Sequence, residues 1–120
     1  MKDLLYYAFI GDAVHTLFVR ENIGKNKDLK MDSLNRYASK FCRASHQANV
    51  LDLIYDELTE DEKELVRKTR NIKNKHKAKN VDVITYKKAT CFETLVGFYH
   101  IENNRERLSF LLNKSLEGDN

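Results

Sequence analysis

From Leu4 to Val19 the chain is almost wholly apolar, and the one formal charge inside that run is Asp12. A run of this length, apolar on nearly every side, reads as a helix buried in a core. The rest of the chain must therefore wrap around it. An ionised carboxylate inside such a helix costs several kcal/mol unless something compensates it. Gly11, directly before it, costs a helix interior about 1 kcal/mol relative to alanine. Two local costs side by side suggest a site, with the glycine giving close backbone approach and the aspartate serving chemistry. A helix that bends or leaves one edge open, with Asp12 solvated there, accounts for the pattern equally well.

The remainder of the sequence supports a helical fold. There is no proline and there are only four glycines in 120 residues, too little turn punctuation for a strand-rich domain. That length predicts a single domain over residues 1–120. The mix of 42% hydrophobic and 32% charged residues is that of an ordinary globular protein. Charges interrupt every apolar run before it could span a bilayer. The amino terminus carries an early Asp3 and no small-residue cleavage site, so no signal peptide, no membrane partner and a cytoplasmic location are expected. Cys42 and Cys91 are isolated, and buried free thiols in a reducing compartment are expected of them.

In chain order, a first helix is expected from about Lys2 to Glu21, closed by Gly24 as a carboxy cap. Met31, Leu34, Tyr37, Ala38 and Phe41 recur at helical spacing and predict a second. A third, from about Ala44 to Leu58, puts Ala48, Leu51, Ile54, Tyr55 and Leu58 on one face. Arg43, Ser45, His46 and Gln47 cluster at its start, as a solvated helix end or as ligand-contacting groups. Thr59 followed by Glu62 is a capping box, which starts a fourth helix by local chemistry. It runs into a basic stretch and is expected to fray into a loop near Asn74 to Asn80. Asp82 caps a fifth helix through Ile101, broken at Glu102-Asn103-Asn104. A last helix from about Arg105 to Leu116 turns Leu108, Leu111 and Leu112 inward. The fold class is all-α, a bundle of six or seven helices.

The fifth helix repeats the pattern of the first. Glu93 is the only charge between Lys88 and Glu102, and Gly97 lies one turn further on. Two such helices, packed closely at their glycines, would bring Asp12 and Glu93 together. Paired carboxylates in a restricted pocket share a proton or bind a cation. No Lys or Arg on either helix face is placed to neutralise them, and no His-Cys cluster supports zinc. Hard oxygen ligands therefore favour magnesium, with manganese as a substitute. The alternative is two unrelated exposed carboxylates.

Charge is distributed unevenly. Residues 67–79 carry seven Lys or Arg and no acid; the other 14 basic residues face 18 acids, a net of −4. Such a run is a solvated helix end or a nucleic-acid grip, and its contrast with an otherwise acidic chain favours the grip.

Phe9-Ile10-Gly11-Asp12-Ala13-Val14 resembles the signature of the ribonuclease III catalytic domain, an apolar pair followed by Gly-Asp-Ala-Val. Phe92-Glu93-Thr94-Leu95-Val96-Gly97 resembles that family's second motif, in the right order and at the right separation. Arg70-Asn71-Ile72-Lys73, Lys79-Asn80, Tyr86 and Asn103-Asn104-Arg105-Glu106-Arg107-Leu108 are similar to the family's compact branch, Mini-ribonuclease III, which lacks a double-stranded-RNA-binding domain. The resemblance covers essentially the whole chain.

It implies a homodimeric, magnesium-dependent endoribonuclease that cuts double-stranded RNA, leaves 5′-phosphate and 3′-hydroxyl ends, and trims 23S ribosomal RNA precursor. A ribosomal protein or pre-ribosome enters as a partner on the same ground. By motif, Asp12 and Glu93 become the catalytic metal ligands, with Thr90 behind them; His15, one turn from Asp12, is a further partner behind the ligands or, as the favoured reading, a core or interface histidine. Ala8, Leu5 and Thr90 stand where full-length family members carry further acids, so water and RNA phosphate oxygens must complete the metal's shell. That thinning leaves a non-catalytic RNA-binding scaffold as the alternative. Ala78 replaces a proline usual before Lys79-Asn80. Duplex RNA is gripped through phosphates and 2′-hydroxyls, which assigns RNA contacts to Arg67, Lys68, Arg70, Asn71, Lys73, Lys75, Lys77, Lys79 and Asn80.

Overall fold

Thr59 and Asp82 open two of the core helices as their side chains predict. Thr59 Oγ1 accepts the Glu62 amide at 3.1 Å, while Glu62 Oε1 accepts the Thr59 amide at 2.8 Å. Asp82 Oδ1 accepts the Thr85 amide at 2.8 Å. Each satisfies amides that a helix start leaves without partners. The computed structural model describes residues 3–25, 30–73 and 82–117. These form α1 (Leu4–Lys25), α2 (Met31–Cys42), α3 (Ala44–Ile54), α4 (Glu60–Arg70), α5 (Val83–Ile101) and α6 (Arg105–Glu117), with a 3₁₀ turn at Tyr55–Glu57. No strand occurs among the described residues. The expected fray at Asn74 to Asn80 lies outside them.

Helix α5 is the axis of the bundle. Phe92, Leu95 and Val96 have no exposed surface, and α1, α3, α4 and α6 all pack against it. Val50, Leu51 and Ile54 from α3, Leu65 and Val66 from α4, and Leu111 and Leu112 from α6 complete this core. A smaller cluster of Val19, Ile23 and Ala38 joins α1 to α2.

That cluster corrects the expected end of the first helix. α1 continues through Gly24 to Lys25, and no glycine among the described residues has a positive φ. Burial of Ile23 against α2 carries the helix past the point where composition suggested a cap, so Gly24 is an ordinary exposed helical residue. The third helix also ends earlier than expected, tightening into 3₁₀ after Ile54. Tyr55 is exposed, as are Met31 and Tyr37 on α2. Among the described residues only Asn103 takes a left-handed φ, of 59°, at the turn from α5 to α6. Asparagine tolerates that conformation, and Asn104 Oδ1 then accepts the Arg107 amide at 3.1 Å to start α6.

Glu62 serves more than its cap. It is 1% exposed, and both its oxygens are held: Arg107 donates to Oε1 at 2.7 Å and to Oε2 at 2.8 Å, and the Tyr99 hydroxyl donates to Oε2 at 2.6 Å. One carboxylate thus ties α4 to α5 and α6. Both cysteines are free; Cys91 is buried, with Sγ 3.4 Å from the Val66 carbonyl oxygen, while Cys42 is only half-buried. No helix of the described residues is long and apolar enough to cross a membrane.

Candidate active site

Gly11 and Gly97 bring α1 and α5 into backbone contact. A Cβ on Gly11 would overlap the carbonyl oxygen of Glu93 and lie 2.7 Å from its carbon; a Cβ on Gly97 would do the same to Tyr7. Only glycine permits this approach. It fixes Asp12, one residue after Gly11, directly beside Glu93. The two carboxylates line one open hollow of about 380 Å³ with Leu5, Ala8, Phe9, Tyr86 and Thr90. Tyr86, Thr90 and Glu93 fall on a single face of α5 by their spacing of four and three.

Asp12 is exposed, whereas Glu93 is half-buried. Burial, then the hydrogen bond and negative charge of Asp12, push the Glu93 carboxyl up to about 9; the Gln47 amide opposes this. Two facing carboxylates cannot both ionise cheaply, so near neutral pH one proton lies between them unless a cation replaces it. Thr90 lines the hollow, but its hydroxyl donates to the Tyr86 carbonyl at 2.9 Å.

His15 is fully buried and lies outside the hollow's lining. Its ring stands edge-on to Phe92 at 5.2 Å. Burial first, then the neighbouring His46, hold it down to about 4, against the attraction of Asp12. It is a neutral core histidine that meets the site through Gln47, whose Nε2 lies 3.1 Å from His15 Nδ1 and 3.5 Å from Glu93 Oε2.

The polar cluster at the start of α3 therefore divides. Arg43 and Ser45 are exposed, whereas His46 and Gln47 are buried. His46 Nε2 pairs with the Ser115 carbonyl at 2.6 Å. The sequence signal for Gln47 was a polar amide on the row of Leu51, Ile54 and Leu58, four, seven and eleven residues on.

The basic stretch is described only as far as Lys73; Lys75, Lys77, Lys79 and Asn80 lie outside the described residues. Arg67 forms a bidentate pair with Glu64 at 2.9 and 2.6 Å, and Lys68, Arg70, Asn71 and Lys73 are exposed. Arg70 lines a second hollow with Ile84, Lys87, Lys88 and Cys91. The first turns of α5 thus carry the carboxylate hollow on one flank and, on the other, a mainly apolar hollow that Arg70, Lys87 and Lys88 share with Asp52, which pairs with Lys88 at 3.0 Å. A further basic row was missed. Arg36 and Lys40 on the exposed face of α2, and Arg43 just past its end, recur every three or four residues around an open depression shared with Asn35 and Ser39. Its signal was that same spacing, obscured because acids and bases alternate elsewhere.

The family model described as Ribonuclease III domain matches residues 5–104, a span that contains both carboxylates and their glycines. This chain belongs to the ribonuclease III family. Among ribonuclease III relatives, the Mini-ribonuclease 3 of Thermoanaerobacter sp. (strain X514) is 39% identical over 113 residues, covering 94% of this chain and 80% of the relative. The Mini-ribonuclease 3 of Streptococcus pneumoniae is 38% identical over 107 residues, covering 88% and 84%. An X-ray crystal structure of a Fusobacterium nucleatum protein superposes with a TM-score of 0.85 at 26% identity, over 97% of this chain and 93% of that one. The ribonuclease III fold, an all-helical bundle, is therefore the fold of this chain, and its activity is that of a metal-dependent endoribonuclease of the Mini-ribonuclease 3 branch.

Proposed function

We propose that this protein cuts double-stranded segments of 23S ribosomal RNA precursor in the cytoplasm, as a homodimer, with magnesium held by Asp12 and Glu93. The observation that carries the reading is the pair itself: two carboxyl groups facing each other across a glycine-tight helix crossing, one pushed up to about 9. A cation relieves that repulsion.

The donor set fits a hard divalent ion. Every polar side-chain atom among the hollow's lining residues is oxygen, from the Asp12 and Glu93 carboxylates and the Thr90 and Tyr86 hydroxyls. Among the described residues no group of three or more His, Cys, Asp or Glu could hold a metal, so this chain offers the two carboxylates alone; it is their all-oxygen chemistry that favours magnesium or manganese over zinc. Water and RNA phosphate oxygens are left to fill the other positions. Bound there, magnesium supplies a polarised scissile phosphate and a water of lowered pKa.

The chain's own residues supply the rest. Asp12 and Glu93 bind and orient from a rigid helix pair. The products are expected to carry 5′-phosphate and 3′-hydroxyl ends. Arg67, Lys68, Arg70, Asn71 and Lys73 on one side, and Arg36, Lys40 and Arg43 on another, offer phosphate contacts without a double-stranded-RNA-binding domain within residues 1–120, which act as one catalytic domain. Binding of this kind weakens steeply with salt. Phe9 is 73% and Leu17 58% exposed, and with Tyr6 they form an apolar row along α1 beside the hollow. Such a row suits a second copy of the chain, which would set two sites on one duplex. A ribosomal protein or pre-ribosome would then select the duplex.

The test incubates the purified protein with a long RNA duplex, with and without magnesium. Asp12→Asn and Glu93→Gln are expected to abolish cutting and leave duplex binding intact. Wild-type cutting by both variants would overturn the metal assignment. Duplex binding without cutting by the unaltered protein would leave a scaffold instead.

A further inference from the structure

One nitrogen, Gln47 Nε2, lies 3.1 Å from His15 Nδ1 and 3.5 Å from Glu93 Oε2. A side-chain amide nitrogen carries two protons and accepts nothing. It therefore donates twice, once to each neighbour. His15 must accept at Nδ1, so its ring is neutral and carries its proton on Nε2. That Nε2 has no hydrogen-bond partner and is buried, and the ring is wedged edge-on against Phe92. Gln47 itself is 2% exposed. In this orientation the amide satisfies both partners, and the core holds it there.

We propose that Gln47 is a positioning residue for catalysis: locked by neutral His15, its amide holds Glu93 Oε2 and turns the other carboxylate oxygen toward Asp12 and the open hollow. A glutamine needed only to satisfy His15 uses a single N–H. Here the second N–H reaches Glu93, the more buried of the two carboxylates that line the hollow. The 3.5 Å separation is at the long end for a hydrogen bond, and a fully ionised carboxylate is expected to draw the amide closer. The polar chain Glu93–Gln47–His15 spans α5, α3 and α1, so the carboxylate's orientation is set by three helices at once. Hydrogen bonds to metal-ligating carboxylates typically change metal affinity or activity by about 10–100-fold. The inference rests on the reading of Glu93 as a metal ligand.

The test uses Gln47→Met in the full chain, since methionine keeps the unbranched shape and removes the donor. Manganese affinity is titrated by electron paramagnetic resonance on the RNA-free protein, and kcat and KM are measured on a long duplex. Circular dichroism checks the fold. The expected result is a loss of about 10–100-fold in manganese affinity and in kcat, with KM for RNA unchanged. A purely structural role would alter stability and leave manganese affinity alone. Wild-type affinity and kcat in Gln47→Met, with Glu93→Gln inactive, would overturn this inference by itself. Wild-type cutting by Glu93→Gln would instead overturn the metal reading beneath it. If Gln47→Met does not fold, nitrogen NMR of the unaltered protein decides. A His15 ring protonated at Nε2 supports the amide orientation, and one protonated at Nδ1 reverses it and overturns the proposal.

Discussion

Gly11 and Gly97 are packed backbone against backbone, so that a Cβ added to either would come within 2.9 Å of the other's amide nitrogen. The obstructing atoms are main chain, which no rotamer change can move aside. Gly11→Ala and Gly97→Ala each gain about 1 kcal/mol of helix propensity, but overpacking costs about 1–3 kcal/mol. Against rigid backbone the upper end applies. Both variants are therefore expected to melt lower, and both should lose activity because the displaced atoms belong to the residues that place Asp12 and Glu93. Gly24→Ala is the control. Nothing lies within 4 Å of a Cβ there, so only the propensity gain remains and melting should rise. Thermal melts of the three variants check this, and a stabilised Gly11→Ala would contradict the close crossing.

This crossing was legible in the sequence because each glycine stands near the lone charge of an apolar helix. Thr59 and Asp82 were legible for a different reason: a cap is satisfied within four residues, so local sequence determines it. Gly24 was misread because a left-handed carboxy cap and an exposed helical glycine have the same local sequence, and the burial of Ile23 by α2 decides between them. Glu62 shows the same limit. Its role as cap was plain, but Arg107 lies 45 residues away and nothing local announces the pairing. Gln47 was placed in a polar helix start, and the α1–α5 crossing is what buries it.

Arg107→Met is expected to reverse the acid response of the protein. In the native fold burial alone would raise the Glu62 carboxyl, but the bonds from Arg107, Tyr99 and Thr59 prevail and hold it below its ordinary value of 4.5. A depressed carboxylate contributes stability that is present above the unfolded pKa and lost as pH falls through the folded one. Removing Arg107 leaves a buried carboxylate with too few partners, a change worth about 3–5 kcal/mol. The Glu62 carboxyl should then rise, and stability should fall as pH increases from 4 to 7. Urea melts at several pH values check the sign of that slope; equal slopes in both proteins would contradict it.

Glu93 is expected to destabilise the metal-free protein, and the sign of its titration says where. Burial raises its carboxyl from 4.5 to about 9, with the bond to Asp12 and the charge of Asp12 adding to it. A group whose folded pKa is raised contributes stability that is full below the unfolded value and is lost as pH climbs through the folded one. In a chelator, melting should therefore decline from about pH 5 to pH 9, by an amount that the Gln47 amide moderates. Glu93→Gln keeps the shape, removes the ionisation and should melt higher than the unaltered protein at pH 8, though scarcely at pH 5. Magnesium or manganese supplies the missing positive charge, so the divalent ion should raise melting of the unaltered protein at pH 8 and leave Glu93→Gln unmoved. The same substitution would then gain stability and lose cutting, because the repulsion that weakens the empty pair is what draws a cation between Asp12 and Glu93. A Glu93→Gln protein that melts no higher than the original at pH 8 in chelator would show that the pair carries no such strain.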